Sequence, residues 1–180
     1  QEFVRYVRAA GTHVEVVGAL VRDVSRHRAA ECPIVSAFAD LLALQPDLFV
    51  ECASQSALAA FAPRVLGAGH DLVAVSVGAL ADRPTQAAIQ SAAQEGNAQL
   101  CIPAGALAGI DALAAAGQVG ISGVRYVRHA PAATWIRAGA ITAAEGAALT
   151  ECGIIFEGSA RDAAIKFPKS ANVAATIALA

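Results

Sequence analysis

Short β-rich apolar runs alternate with helical segments along residues 2–104, and no other feature of the chain constrains its fold as tightly. Phe3, Val4, Val7 and Ala10 recur at helical spacing until "GTH" ends the pattern, and "HVEVVGALV" at 13–21 then reads as a strand buried on both faces. "VSAFADLLAL" at 35–44 reads as a short helix, and "PDLFVECA" places a strand near 47–52. "SALAAFAPRVLGAG" is helical up to its glycine stop, and "HDLVAVSVGAL" holds the next strand. Proline and polar caps open the helix in "RPTQAAIQSAAQEGN", after which "AQLCIPAGA" supplies a strand and a loop. Strands alternating with helices through short turns imply a parallel sheet covered on both faces, and right-handed crossovers make it doubly wound.

The rhythm changes after Ala104. "GALAGIDALAAAGQ" is a helix, "GVRYVRHAPA" (123–132) an alternating strand and "GIIFEGS" (153–159) another, while "ARDAAIKF" is helical and "NVAATIALA" begins a last helix. The expected organisation is an α/β doubly wound domain over 1–104 and a smaller α+β domain over 105–180, whose sheet is unfinished.

A net charge of −2 with scattered basic residues argues against a nucleic-acid or anionic-membrane surface as partner. Although 56% of residues are hydrophobic, the longest stretch without Asp, Glu, Lys or Arg runs only from Gly96 to Ile110. It is broken by Pro103 and falls short of the roughly 18 apolar residues of a membrane span. The charged opening "QEFVRYVR" does not resemble a secretory signal, so a soluble, cytoplasmic protein is expected. Cysteines 32, 52, 101 and 152 form no CxxC pair and no zinc-type spacing with histidine, and read as structural thiols with no metal. Histidines 13, 27, 70 and 129 are isolated and read as structural or surface residues.

Ligands of doubly wound sheets lie outside the carboxyl ends of the strands, here at "VRD" (21–23), "ECAS" (51–54), "SVGAL" (76–80) and "IPAGA" (102–106). Small residues dominate three of these four. They let a flat ligand approach the backbone, or they merely permit tight strand-to-helix turns, and pattern alone does not choose. Cys52, Ala53 and Ser76 are the cofactor-facing candidates in these turns. A dinucleotide fold normally carries G-x-G-x-x-G between its first strand and first helix, and none is present. The expectation is that the first strand and its glycine loop are missing and that residues 2–10 are the tail of the phosphate-binding helix. After the 13–21 strand, Val21 stands where an acid would hold the adenosine ribose, and Arg22 follows; an arginine there can pair with a 2′-phosphate, unless it forms a solvated pair with Asp23. NADP is therefore expected alongside NAD.

At "VECAS", "VSVGALAD", "PAGALAGIDALAAA" and "IFEGSARDAAIKFPKSANVAAT" the chain closely resembles the L-aspartate dehydrogenase family, in that order and over most of its length. The resemblance implies a Rossmann domain of the homoserine dehydrogenase-like group followed by an α/β domain that forms homodimers. It implies NAD(P)-dependent oxidative deamination of L-aspartate, through iminosuccinate, to oxaloacetate and ammonia, with the imino acid able to feed NAD biosynthesis. By the same resemblance, the family's NAD-contacting alanine falls on Ala106 and its NAD-contacting asparagine on Asn172. The catalytic histidine is expected beyond Ala180, so no catalytic residue is named. Two positions depart from the common pattern: Ser170 stands where Asn usually follows "FPK", and His129 where Lys usually precedes the proline turn. Among the nearby cations Arg161, Lys166 and Lys169, the last stands just before a helix N-terminus and is the candidate for a substrate carboxylate. The competing readings are a catalytically silent relative acting as a scaffold, and another amino-acid or dihydrodipicolinate-type reductase on the same fold.

Overall fold

The computed structural model describes residues 2–27, 31–149 and 152–180, with Ser170 described by its backbone alone. The chain divides into two compact units, residues 1–47 and 48–180.

In the first unit, helix α1 (Glu2–Ala9) buries Val4 and Val7 and leaves Phe3 and Tyr6 exposed. Arg5 and Arg8 pair with Glu31 at 2.9 and 3.1 Å on the surface, where such pairs contribute at most about 1 kcal/mol. Strands β1 (Ala19–Leu20) and β2 (Ile34–Val35) are parallel, with Ala19 opposite Ile34 and Leu20 opposite Val35. The strand expected over 13–21 thus contracts to two residues. Hydrogen bonding explains this: Ala19 N–H donates to Pro33 O and Val21 N–H to Val35 O, both at 2.9 Å, and the ladder reaches no further back along the run. Val35 belongs to β2, so helix α2 (Phe38–Ala43) starts later than its apolar spacing suggests.

The second unit contains β3 (Leu48–Glu51), β4 (Asp71–Ala74) and β5 (Leu100–Cys101), parallel and in that order across the sheet. Helices α3 (Gln55–Gly67) and α4 (Arg83–Glu95) are the two crossovers. Leu58 and Leu66 of α3, Leu80 of the 3-10 turn Val77–Ala81 and Ile89 of α4 are the largest fully buried side chains. Burying residues of this size contributes roughly 1.5–3 kcal/mol each. Both crossover helices are capped by sequence-local polar groups. Ser54 Oγ accepts from Ala57 N–H at 3.1 Å, and Asp82 accepts from the Thr85 hydroxyl and amide at 2.7 and 3.0 Å, which holds its carboxyl below the usual value. These elements give the α/β architecture with parallel sheets that the alternation predicts.

Beyond β5 the unit continues through α5 (Ile110–Val119), α6 (Ala132–Ala138), α7 (Ala143–Ala148), α8 (Ala160–Lys166) and α9 (Ala171–Leu179). Helix α7 is opened by a capping box between Thr142 and Glu145. Neither α6 nor α7 was legible from apolar spacing, since each spans only about two turns. The strands expected at 123–132 and 153–159 are not formed: both segments are irregular, except that α6 already begins at Ala132. Alternation makes a strand only where a neighbour takes its N–H and C=O groups, and among the described residues no neighbour does so. Val124, Val127 and Ile154 are consequently exposed. Helix α9 packs on α8 and on the Val77–Ala81 turn, burying Ala171, Ala174, Ala175 and Thr176. Among the described residues, no helix is long and apolar enough to cross a membrane.

Gly96 closes α4 against the end of α3. A Cβ at this position would overlap the carbonyl oxygen of Leu66, which is itself held by the Gly69 N–H at 2.9 Å. Gly96→Ala is therefore expected to lower stability by roughly 1–3 kcal/mol. Thermal denaturation checks this, and an unchanged midpoint would contradict the contact.

Candidate functional site

Because β3 and β4 run parallel in register, with Glu51 opposite Ala74, the turns that leave their carboxyl ends lie side by side. Glu51 ties them together. Its Oε1 accepts from the amides of Ala53 and Ser54 at 2.8 and 2.9 Å and from Ser76 Oγ at 3.0 Å, while Oε2 accepts from Ser76 N–H at 3.0 Å. Four donors satisfy the oxygens of a partly buried side chain that would otherwise be costly to hold there. Sequence reasoning passed over this residue and attended to the small residues after it. The available signal was an acid at the last strand position followed by residues whose amides had no helical acceptor.

The start of α9 is fastened to the same place. Asn172 Oδ1 accepts from Gly78 N–H at 3.1 Å, and its Nδ2 donates to Val75 O at 3.0 Å. Gln55 Nε2 donates to Pro168 O at 2.8 Å, joining the first turn of α3 to the turn before α9. Gly78 is required at the crossing, since a Cβ there would overlap the Gln55 amide and press on Ala171. Arg161 donates from Nη1 to Leu80 O and Ala81 O at 3.0 and 2.8 Å, closing the carboxyl end of the Val77–Ala81 turn.

These ties enclose an open cleft of about 830 Å³. Its walls are the entry to α3 (Ala53 to Ser56), Ser76, Tyr126, Arg128, the Pro168–Lys169 turn and the start of α9 (Ala171 to Val173). Four of the residues singled out in the sequence, Ala53, Ser76, Lys169 and Asn172, meet here. Cys52 is exposed beside Ala53 without lining the cleft, and Ala106 lies exposed in the turn that precedes α5, also outside its walls. Arg22 belongs to the first unit, where it is exposed just after β1. It does not pair with Asp23, whose carboxylate accepts from Ser25 N–H and Oγ at 3.0 and 2.6 Å.

The cations sort themselves by partner. Arg161 is committed to backbone carbonyls, and Lys166 Nζ stands over the Phe156 and Phe167 rings at 5.0 and 5.7 Å from their centroids. Lys169 and Arg128 remain to line the cleft. Arg128 lies in the run 123–132, whose alternation predicts a strand rather than a cleft wall. None of the four histidines lines the cleft, and His70 packs edge-on against Phe49 at 5.3 Å between ring centroids. Cys52, Cys101 and Cys152 are exposed free thiols rather than packed ones, and Cys32 is half-buried. Cys52 and Cys101 are at the carboxyl ends of their strands, where the sheet gives way to solvent. Among the described residues, no three His, Cys, Asp or Glu side chains gather in a way that could hold a metal.

The donor set fits a dinucleotide. The first turns of α3 and α9 both line the cleft and present helix N-termini, which favour anions. Asn172 keeps one N–H and one acceptor lone pair beyond its two backbone bonds, and Ala53 and Ala171 leave room for a flat ring near the main chain.

Comparison with known proteins bears on the family. A family profile described as homoserine dehydrogenase, NAD binding domain, matches residues 1–103, and one described as aspartate dehydrogenase, C-terminal, matches residues 111–180. L-aspartate dehydrogenase 1 of Bordetella pertussis is 47% identical over 167 residues, covering 93% of this chain and 62% of that protein. L-aspartate dehydrogenase of Serratia proteamaculans is 45% identical over 135 residues, covering 75% of this chain and 51% of that protein. The crystal structure of aspartate dehydrogenase from Thermotoga maritima superposes with a TM-score of 0.62 at 19% identity, covering 97% of this chain and 68% of that one, a likeness of fold. The chain thus spans about three fifths of the length of the Bordetella relative. A parallel α/β sheet whose strand-end turns are tied to a following helical segment, matched along its first 103 residues and again from 111 to 180, makes this chain a member of the family with a homoserine dehydrogenase-type NAD-binding domain followed by an aspartate dehydrogenase C-terminal segment.

Proposed function

We propose that the protein to which this chain belongs is an NAD(P)-dependent L-aspartate dehydrogenase, converting L-aspartate through iminosuccinate to oxaloacetate and ammonia. The observation that carries the reading is the fastening of Asn172 to the end of β4, which brings the start of α9 to the ligand-facing edge of the sheet. In this reading residues 1–104 hold the dinucleotide and residues 105–180 contribute to substrate binding and to a homodimer. The family matches that end at 103 and resume at 111 support the division. Cys52, Ala53, Ser76, Ala106 and Asn172 are the residues assigned to the dinucleotide, Arg22 to a 2′-phosphate where one is present, and Lys169 to a substrate carboxylate.

The dinucleotide, when bound, supplies the two-electron oxidant for the amine-bearing carbon of aspartate. The chain's own part is positioning. Helix N-termini and cations draw the two carboxylates of the amino acid into the cleft, and the amide of Asn172, fixed at both ends by backbone, holds its remaining N–H in one direction. Water then hydrolyses the imine to the keto acid and ammonia. The imino acid is also the chemical form that a biosynthetic route to NAD would draw on, and that use belongs to the same proposal.

The full-length protein, supplied with L-aspartate and either NAD or NADP, is expected to reduce the cofactor in an aspartate-dependent way, and absence of reduction of both would reject the reading. Lys169→Ala should raise the KM for aspartate several-fold, by roughly the 1–2 kcal/mol of one exposed charge-assisted contact. An unaltered KM would remove Lys169 from the site. Arg22→Ala should weaken NADP more than NAD in a binding titration, whereas equal losses would show that Arg22 does not meet the 2′-phosphate.

A further inference from the structure

The walls of the cleft contain two cations and, among the described residues that line it, no Asp or Glu. The nearest carboxylate by hydrogen bonding is Glu51, whose two oxygens are taken by the Ala53, Ser54 and Ser76 donors. Two helix first turns face the same space.

Arg128 is the unassigned half of this set. Its guanidinium stands 5.0 Å from the centroid of the Trp135 ring, on α6. Trp135 in turn packs at 5.8 Å against Phe167, and Phe167 edge-on at 5.6 Å against Phe156. Arg128 is thereby held by an aromatic cluster rather than by an acid, and among the described residues no carboxylate pairs with it. Cation–π seating fixes the position of a guanidinium while leaving it fully charged. Phe167 immediately precedes the Pro168–Lys169 turn, so the cluster that seats Arg128 also abuts the segment carrying the second cation.

We propose that Arg128, seated on Trp135, binds the side-chain carboxylate of a C4 dicarboxylate amino acid while Lys169 meets the α-carboxylate, and that this pair makes the cleft selective for a substrate with two carboxylates. The assignment rests on the aspartate reading above and adds the residue that sets its specificity. A guanidinium offers two parallel N–H donors to a carboxylate, which a neutral amide in the same place cannot accept equally. The cleft should consequently favour L-aspartate over L-asparagine, and the preference should reside in Arg128.

The test uses the full-length protein with its cofactor. Arg128→Met is expected to raise the KM for L-aspartate about 10- to 100-fold and to erode its preference over L-asparagine, with the KM for NAD changed by less than about twofold. Arg128→Lys should recover part of the loss, and Arg125→Met, which removes the same charge from the same segment outside the cleft walls, should leave the aspartate KM near its starting value. Circular dichroism of each variant verifies folding. A rise confined to NAD would assign Arg128 to a cofactor phosphate and overturn the proposal, as would an unchanged aspartate KM. Succinate, an unreactive C4 dicarboxylate, separates this inference from the reaction itself. Trp135 is the one tryptophan in these 180 residues, so saturable quenching of its emission by succinate, absent in Trp135→Phe and lost in Arg128→Met, supports the dicarboxylate site even if aspartate is not oxidised. Aspartate oxidation with no dependence on Arg128 would leave the reaction standing and sink the inference.

Discussion

The side-chain amide of Asn172 is the interaction on which the rest of the site depends. It accepts from the Gly78 amide and donates to the Val75 carbonyl, two backbone groups that β4 leaves unpaired as the chain turns into the Val77–Ala81 segment. Each bond is worth only about 0.5–1.5 kcal/mol net, but leaving the partly buried Gly78 N–H without a partner would cost more. The amide therefore solves a problem created by the end of a parallel strand, and in solving it anchors a helix that begins nearly a hundred residues later in the chain. Gly78 must be glycine for the same reason: with a side chain there, Ala171 and the Gln55 amide could not come so close.

Electrostatics follow from that anchoring. Glu51 collects donors that the turns after β3 and β4 present, so its two oxygens are engaged within those turns and do not line the cleft. Facing the cleft are Arg128, Lys169 and the amino ends of α3 and α9. A site made this way attracts anions through its geometry rather than through net charge, which for the chain is −2. Arg161 is bound to carbonyls, and neither it nor Lys166, which lies over the Phe156 and Phe167 rings, lines the cleft.

Much of the sheet was legible because its information is local. A run such as "DLFVE" or "DLVA" has few alternatives once helices with clear caps stand on either side, and Asp82 with Pro84 marks the start of α4 plainly. The segments at 123–132 and 153–159 misled because alternation records what a segment is suited to, while strand formation depends on a partner somewhere else. The site was half legible for a related reason. Ala53 and Ser76 announce themselves as turn residues at strand ends, Lys169 stands before a helix N-terminus and Asn172 is marked by the family resemblance, whereas Arg128 lies in an irregular segment seated on Trp135, and Glu51 matters only because four donors from two separate turns converge on it. Such convergence has no signature along the sequence.

The central claim, that one amide both completes β4 and, in the proposed function, builds the edge that meets the dinucleotide, can be met with a single comparison. Amide hydrogen exchange and NAD titration of the full-length protein would be measured for Asn172→Ala against the parent. Loss of protection at Gly78, retained protection in the β3–β4 ladder at Val50 and Val73, and weaker NAD binding together are the result this account predicts. NAD affinity unchanged while Gly78 loses its protection would contradict it.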